Sequence, residues 1–131
     1  MQDHSQPITE ARHSRGGGSG SGGGSAQDID TRPTQPMANE AERGLDWRRE
    51  FGRGGTSTGI ARARDIRARR RLSIGTVRSL NQYFQRRSGD VESVGFRTGE
   101  PGYPNAARIA WALRGGNAGR TWAAGVIEHL N

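Results

Sequence analysis

Apolar side chains recur at helical spacing in several segments after Thr58. A stripe that repeats every three or four residues indicates a helix with one buried face. The first segment runs from about Thr58 to Arg70, and Ser57 or Thr58 is expected to cap its N-terminus. Its narrow stripe consists of Ile60, Ala63 and Ile66.

The second segment has the clearest helical pattern in the chain. Ser73 is the expected N-cap, and the apolar stripe that follows consists of Val77, Leu80 and Phe84, broadened by Tyr83. Arg86 and Arg87 lie in the last turn, where cations suit the negative end of the helix dipole.

Two shorter helices are predicted on either side of a glycine pair. Asn105 is the expected cap of the third helix, which carries Ile109 and Leu113 and ends at the glycines 115 and 116. Asn117 is the expected cap of the fourth, whose stripe consists of Trp122, Val126 and Leu130. Between the second and third helices, residues 88–104 contain four glycines and two prolines, and we expect an ordered loop pinned by Phe96 and Tyr103.

These stripes predict one shared core. We expect it to contain Ile60, Ile66, Val77, Leu80, Phe84, Tyr103, Ile109, Trp111, Leu113, Trp122 and Val126. Trp111 and Trp122 are interpreted as core anchors. The alternative is that the tryptophans form a surface on which bases stack.

The first third of the chain has a different composition. Its run of glycine and serine from Arg15 to Gln27 is typical of a flexible linker. Near Leu45 the pattern supports one amphipathic turn, from which Trp47 or Phe51 is expected to dock on the core. The predicted fold is therefore mainly α: a small bundle of about four short helices over residues 45–131, behind a disordered tail over residues 1–44.

The predicted tail and the predicted helical domain also differ in net charge. The net charge of +7 arises from 20 arginines, without a single lysine, against 13 acidic residues. Residues 1–43 carry four arginines and six acidic residues, so the excess of positive charge belongs to the predicted domain. Such a domain suits a polyanion or an acidic protein surface. The candidate polyanion-binding residues are Arg62, Arg64, Arg67, Arg69, Arg70, Arg71 and Arg78, and a merely solvated basic face is the other interpretation.

One stretch is similar to the second helix of some helix-turn-helix proteins. This stretch is LSIGTVRSL, and the similarity implies that Ser73, Thr76, Arg78 and Ser79 face the major groove of DNA. The tight turn of that family usually contains a glycine, whereas three consecutive arginines, residues 69–71, stand here.

The residues of the sequence give little support for catalytic activity. The chain has no cysteine, and its three histidines have no spacing that would place two on one helical face. Asp90, Glu92 and Glu100 share a loop, where solvated charges are the ordinary interpretation. We expect no enzymatic activity, no cofactor and no small-molecule substrate. The chain also has no long apolar run and no secretory signal at its N-terminus, so we expect neither a membrane partner nor export.

The span from Ile60 to Ala123 resembles a short module of tailed-phage and prophage genomes, often encoded with or fused to head-morphogenesis proteins. The matching stretches are IARARDI, LSIGTVRSLNQYF, GFRTGEPGYP and RIAWALRGGNAGRTWA. The resemblance implies a phage structural or assembly protein as partner and a location in the virion or the host cytoplasm. It implies no catalytic residues. The alternative partner is nucleic acid, whose phosphates the arginine cluster of residues 62–71 would contact.

This sequence departs from the family pattern in three places. An Arg-His-Glu-Val-Asp type string usually follows the second helix, whereas residues 86–90 read RRSGD here. The family often has an aromatic residue at the place of Arg114 and a glycine at the place of Arg69. The last two changes add positive charge, which favours an anionic partner.

Overall fold

The computed structural model describes residues 29–130, which form a mainly helical bundle. Within this range there are five α-helices and one short 3-10 helix over Ser88–Glu92. The α-helices are α1 (Gln35–Phe51), α2 (Ser57–Arg67), α3 (Ile74–Arg86), α4 (Ala106–Leu113) and α5 (Gly116–Leu130). The mainly α prediction is confirmed. The Gly/Ser-rich segment and the other residues of the predicted tail up to residue 28 lie outside the described residues.

The prediction that the packed domain begins near Leu45 is wrong. Helix α1 begins ten residues earlier, at Gln35, and its N-cap Thr34 accepts a hydrogen bond from the Met37 amide. Met37, Ala38 and Ala41 are buried in this first half of α1. Because most of these residues are small, they form no stripe of large apolar side chains, and the helix is hard to recognise from its pattern.

Helix α1 is the element against which the others assemble. It packs on α2, α4 and α5, while α3 packs on α5. The contact with α4 is close because a Cβ added at Gly44 would lie only 2.8 Å from the backbone nitrogen of Leu113. Glycine at position 44 therefore sets the distance between the two helices.

The core consists of an aliphatic and an aromatic cluster. The aliphatic cluster joins residues of all five α-helices, with Met37, Ile66, Val77, Ile109 and Leu113 fully buried. The aromatic cluster surrounds Trp111, whose ring meets Phe84 edge-on at 4.9 Å and Phe96 at 5.5 Å between centroids. Edge-to-face contacts of this kind add to the stability gained by burial.

Most of the expected core is confirmed. The buried members of that prediction are Ile66, Val77, Leu80, Phe84, Ile109, Trp111, Leu113 and Val126. Ile60 and Trp122 are partly buried and pack against the aliphatic cluster. Trp122 and Ile29 line the same surface pocket, although the sequence analysis placed Ile29 in the tail. The prediction is wrong for Tyr103, which is partly buried and is a member of neither cluster. Tyr103 instead meets Trp47 edge-on at 5.7 Å, while Phe51 remains exposed.

Side-chain caps mark the N-termini of four of the five described α-helices. Ser73 accepts from the Thr76 amide and Asn105 accepts from the Arg108 amide, as predicted. Thr56, rather than Ser57 or Thr58, caps α2. Asn117 is not a cap, because α5 begins at Gly116 and the Asn117 side chain instead accepts a hydrogen bond from Trp111 Nε1 at 2.9 Å.

The connection between α2 and α3 contains the arginine run. Arg69 has a backbone φ of 55°, the left-handed conformation that glycine adopts most readily. Its side chain is held by a hydrogen bond from Nε to the carbonyl oxygen of Pro33, at 2.7 Å. Arg69 therefore adopts a conformation that favours glycine, and its side chain contacts the segment before α1.

Glu100 organises the loop between α3 and α4. Its Oε1 accepts hydrogen bonds from the amides of Gly95 and Arg97, at 2.9 and 3.1 Å. The same amides hold the pKa of the Glu100 carboxyl below its ordinary value. Asn105 extends the bracing by donating from Nδ2 to Ser93 and to the carbonyl oxygen of Val94. The loop is thus ordered, as predicted.

This bracing predicts a pH-dependent contribution to stability. Because the folded-state pKa of Glu100 is depressed, its contribution is present above the ordinary carboxyl pKa and is lost as the pH falls through the folded value. Glu100→Gln should therefore lower the melting temperature near neutral pH, and the gap from the parent protein should close in acid. Thermal melts of both proteins across the acid range measure this gap. A gap that stays constant down to the lowest pH would contradict the assignment.

None of the helices between residues 29 and 130 has the length and apolar character that a membrane span requires.

Candidate anion-binding site

The predicted arginine cluster is largely engaged within the fold. Arg70 Nη1 lies 2.7 Å from Oδ1 of the buried Asp65, and Arg71 Nη1 lies 3.4 Å from Asp30 Oδ1. Arg69 is bonded to the backbone of Pro33. The structure therefore shows that part of this run connects the α2–α3 turn to the N-terminal stretch and to α2.

Arg62 does not lie on a solvated face of its helix. Only 4% of this residue is exposed, because it faces inward from α2. The remaining candidates, Arg64, Arg67 and Arg78, are exposed and have no ion pair with another described residue. Binding of a polyanion by these three stays a prediction.

The orientation implied by the helix-turn-helix similarity is wrong for two of its four residues. Ser73 and Thr76 are 8% and 5% exposed, and they bond to each other at the start of α3. Arg78 and Ser79 are exposed. Because the cap residues are buried, α3 could present only the latter two of that set to a DNA groove.

A second basic site joins arginines that are distant in the sequence. It is a cleft of about 480 Å³, which we name the arginine cleft, between α1, the loop before α4, and α5. Its charged lining residues are Arg43, Arg97, Arg108 and Arg120, and its aromatic ones are Phe96 and Tyr103. These arginines lie on four different parts of the chain, which is why no local pattern indicates them.

Arg108 is fixed at the base of this site. Its guanidinium carbon lies 5.0 Å from the centroid of the Trp47 ring and 5.9 Å from that of Phe96. Its Nη2 donates to Glu40 Oε1 at 3.0 Å, and its buried Nη1 makes no hydrogen bond with the described residues. Stacking on aromatic faces and pairing with a carboxylate hold the planar group in one orientation.

The other three arginines are exposed, so their positive charges are accessible to a partner. Arg43 stacks over Trp47 at 5.0 Å and pairs with Glu40, which it shares with Arg108. The pair of Arg97 with Glu92 is solvent-exposed and 3.5 Å long, so it contributes little. Arg120 lies 5.8 Å from the Trp111 ring centroid and has no carboxylate partner among the described residues. The cleft therefore has an excess of positive charge, of which the Arg108 guanidinium is held by several contacts.

The carboxylates of Glu92 and Glu100, in the loop between α3 and α4, make contacts that stabilise the loop. Glu100 accepts from two backbone amides and Glu92 pairs with Arg97, so neither faces a second carboxylate in the described contacts. In residues 29–130 no three side chains of the metal-binding types cluster as a metal site would require. His4 and His13 lie outside the described residues.

Comparisons with known proteins leave the family open. No family model matches the chain, and no curated protein or solved structure matches it either. The resemblance to the phage module therefore depends on the quoted sequence stretches alone.

Proposed function

We propose that this protein is a non-enzymatic accessory module of the tailed-phage type, and that it binds an acidic segment of a virion or head-assembly protein in the arginine cleft. The observation that carries the proposal is the convergence of Arg43, Arg97, Arg108 and Arg120 beside the rings of Phe96 and Tyr103. The resemblance to head-morphogenesis modules supplies the class of partner.

The shape and composition of the cleft favour a protein segment over a duplex. A concave site admits a protruding chain, whereas contacts to duplex DNA need side chains that reach outward to phosphates or into a groove. Interfaces between proteins are enriched in aromatic residues and arginine, and both line this site. Electrostatic complementarity would accelerate the encounter and orient the acidic partner.

One observation favours a second function, binding of nucleic acid. Arg64, Arg67 and Arg78 are exposed on α2 and α3 and are not used in ion pairs within the described residues. They are free to contact phosphates, which is the sequence-independent part of DNA binding.

Two triple variants that remove equal charge separate these functions. Arg43→Ala/Arg97→Ala/Arg120→Ala alters the cleft, and Arg64→Ala/Arg67→Ala/Arg78→Ala alters the helical face. We expect the cleft triple to weaken binding of a fluorescent oligo-glutamate peptide about tenfold or more, because each lost charged contact costs about 1.5–3 kcal/mol when desolvated and less at the rim. The helical triple should change it far less. Fluorescence anisotropy measures both.

The same proteins are titrated with a short random DNA duplex at about 50 and 200 mM salt. If the duplex binds more tightly than the peptide, its affinity falls steeply with salt, and the helical triple abolishes it, nucleic acid replaces the acidic protein as the partner. Equal losses of peptide binding in the two triples would show unspecific attraction by net charge, and the cleft would then have no special role.

A further inference from the structure

A small basic pocket lies between α2 and α3, separate from the arginine cleft. Its volume is about 220 Å³. Its polar lining comprises three guanidinium groups, three hydroxyls and one amide: Arg62, Arg86, Arg114, Thr58, Ser79, Tyr83 and Gln82. No carboxylate is among the described residues that line it, and it shares no lining residue with the arginine cleft.

Arg114 is positioned in this pocket by two contacts. Its guanidinium carbon lies 4.1 Å from the centroid of the Tyr83 ring. On the other side, a Cβ added at Gly59 would lie 2.9 Å from Arg114 Nη1, so the absence of a side chain on α2 lets the guanidinium approach. The group is therefore held in place by the fold before any ligand arrives.

Two neighbouring arginines act electrostatically on Arg114. Burial lowers the pKa of the Arg114 guanidinium, and the charges of Arg62 and Arg86 lower it further, while Tyr83 opposes the change. Burial also raises the pKa of the Tyr83 phenol, so this hydroxyl keeps its proton and can donate it in a hydrogen bond. Like charges gathered in a small, partly desolvated space repel, and a bound anion would offset that repulsion.

We propose that this pocket binds a single phosphate group. Planar guanidinium groups match the oxygens of phosphate in pairs, and the Thr58 and Ser79 hydroxyls supply further donors. The volume is below the roughly 300–1,000 Å³ of sites for drug-sized ligands, which limits the occupant to one compact group. The phosphate comes either from the inorganic anion or from the end of a nucleic-acid strand.

The test is calorimetric titration of the full chain with inorganic phosphate at constant ionic strength in chloride buffer. We expect one saturable site in the parent protein. Arg86→Gln should weaken it about tenfold or more, as for the loss of a charged hydrogen bond. Because Arg86 is exposed, this variant keeps the fold. Arg64→Gln removes the same charge from an exposed position of α2 outside the pocket, and it should leave phosphate binding unchanged.

A third variant probes the position of Arg114 without removing a charge. Gly59→Ala should weaken phosphate binding, because the added methyl group displaces the Arg114 guanidinium. Competition by an oligonucleotide with a 5′-phosphate, but not by the same strand without it, would identify the strand end as the source. Equal, weak competition by both strands would identify inorganic phosphate. The proposal is overturned if no saturation occurs up to about 10 mM phosphate, or if Arg86→Gln and Arg64→Gln weaken binding equally.

Discussion

A chain that begins at Leu45 should fail to fold, whereas one that begins at Ile29 should fold as the full chain does. The truncation removes Met37, Ala38 and Ala41, which are buried to 3% exposure or less. Burial of a methionine-sized side chain alone contributes about 1.5–3 kcal/mol, and a domain of this size is stable by only about 5–15 kcal/mol. The loss also exposes the surfaces of α2, α4 and α5 that α1 covers.

The same truncation breaks two connections to the α2–α3 turn. The Leu72 amide donates to the carbonyl oxygen of Thr31 at 3.1 Å, and Arg69 loses the Pro33 carbonyl that holds its side chain. Circular dichroism and urea unfolding of residues 29–131 and 45–131 measure the effect. A cooperative unfolding transition of similar midpoint in the shorter protein would show that the first half of α1 is dispensable. The prediction that the domain begins near Leu45 would then be correct.

Trp111→Ala should lower the free energy of unfolding by about 3–5 kcal/mol. The residue is 1% exposed, and its ring is the centre of the aromatic cluster formed with Tyr83, Phe84 and Phe96. Truncation opens a large cavity and removes three aromatic contacts at once. It also removes the hydrogen bond of 2.9 Å that the indole Nε1 of Trp111 donates to Asn117 Oδ1. Urea unfolding followed by circular dichroism measures the loss.

Phe51→Ala provides the control for this substitution. Phe51 is 38% exposed, so the same kind of truncation there should cost far less than that of Trp111. Trp111→Phe should be intermediate, because it keeps an aromatic ring and loses the indole hydrogen bond. If Trp111→Ala and Phe51→Ala cost the same, the aromatic cluster does not have the central role that its geometry indicates.

The two basic sites differ in the kind of ligand that each can accommodate. The arginine cleft uses exposed guanidiniums on the loop and on α1 and α5, so it suits an extended partner that covers several of them. The small pocket combines the buried Arg62 and the half-buried Arg114 with the exposed Arg86, and it admits only one compact group. Arg114 stacks on Tyr83 and adds a charge to the pocket.

Features that depend on neighbours a few residues away were predictable from the sequence. Ser73 and Asn105 were identifiable as caps because a side-chain oxygen needs only the amide three residues ahead. The stripe of α3 was visible because Val77, Leu80 and Phe84 are large and regularly spaced. The basic character of the domain followed from composition alone.

The start of α1 and the availability of each arginine to a partner depend on contacts between distant parts of the chain. The buried face of α1 includes the small residues Ala38, Ala41 and Gly44. At Gly44 the backbone of α4 approaches closely, and that distance is not encoded locally. Arg71 meets Asp30 across 41 residues of sequence, and Arg108 meets Glu40 across 68. Whether an arginine is exposed, paired or gathered into a site depends on such long-range contacts, because a charge is neutralised by what lies near it in space and not along the chain.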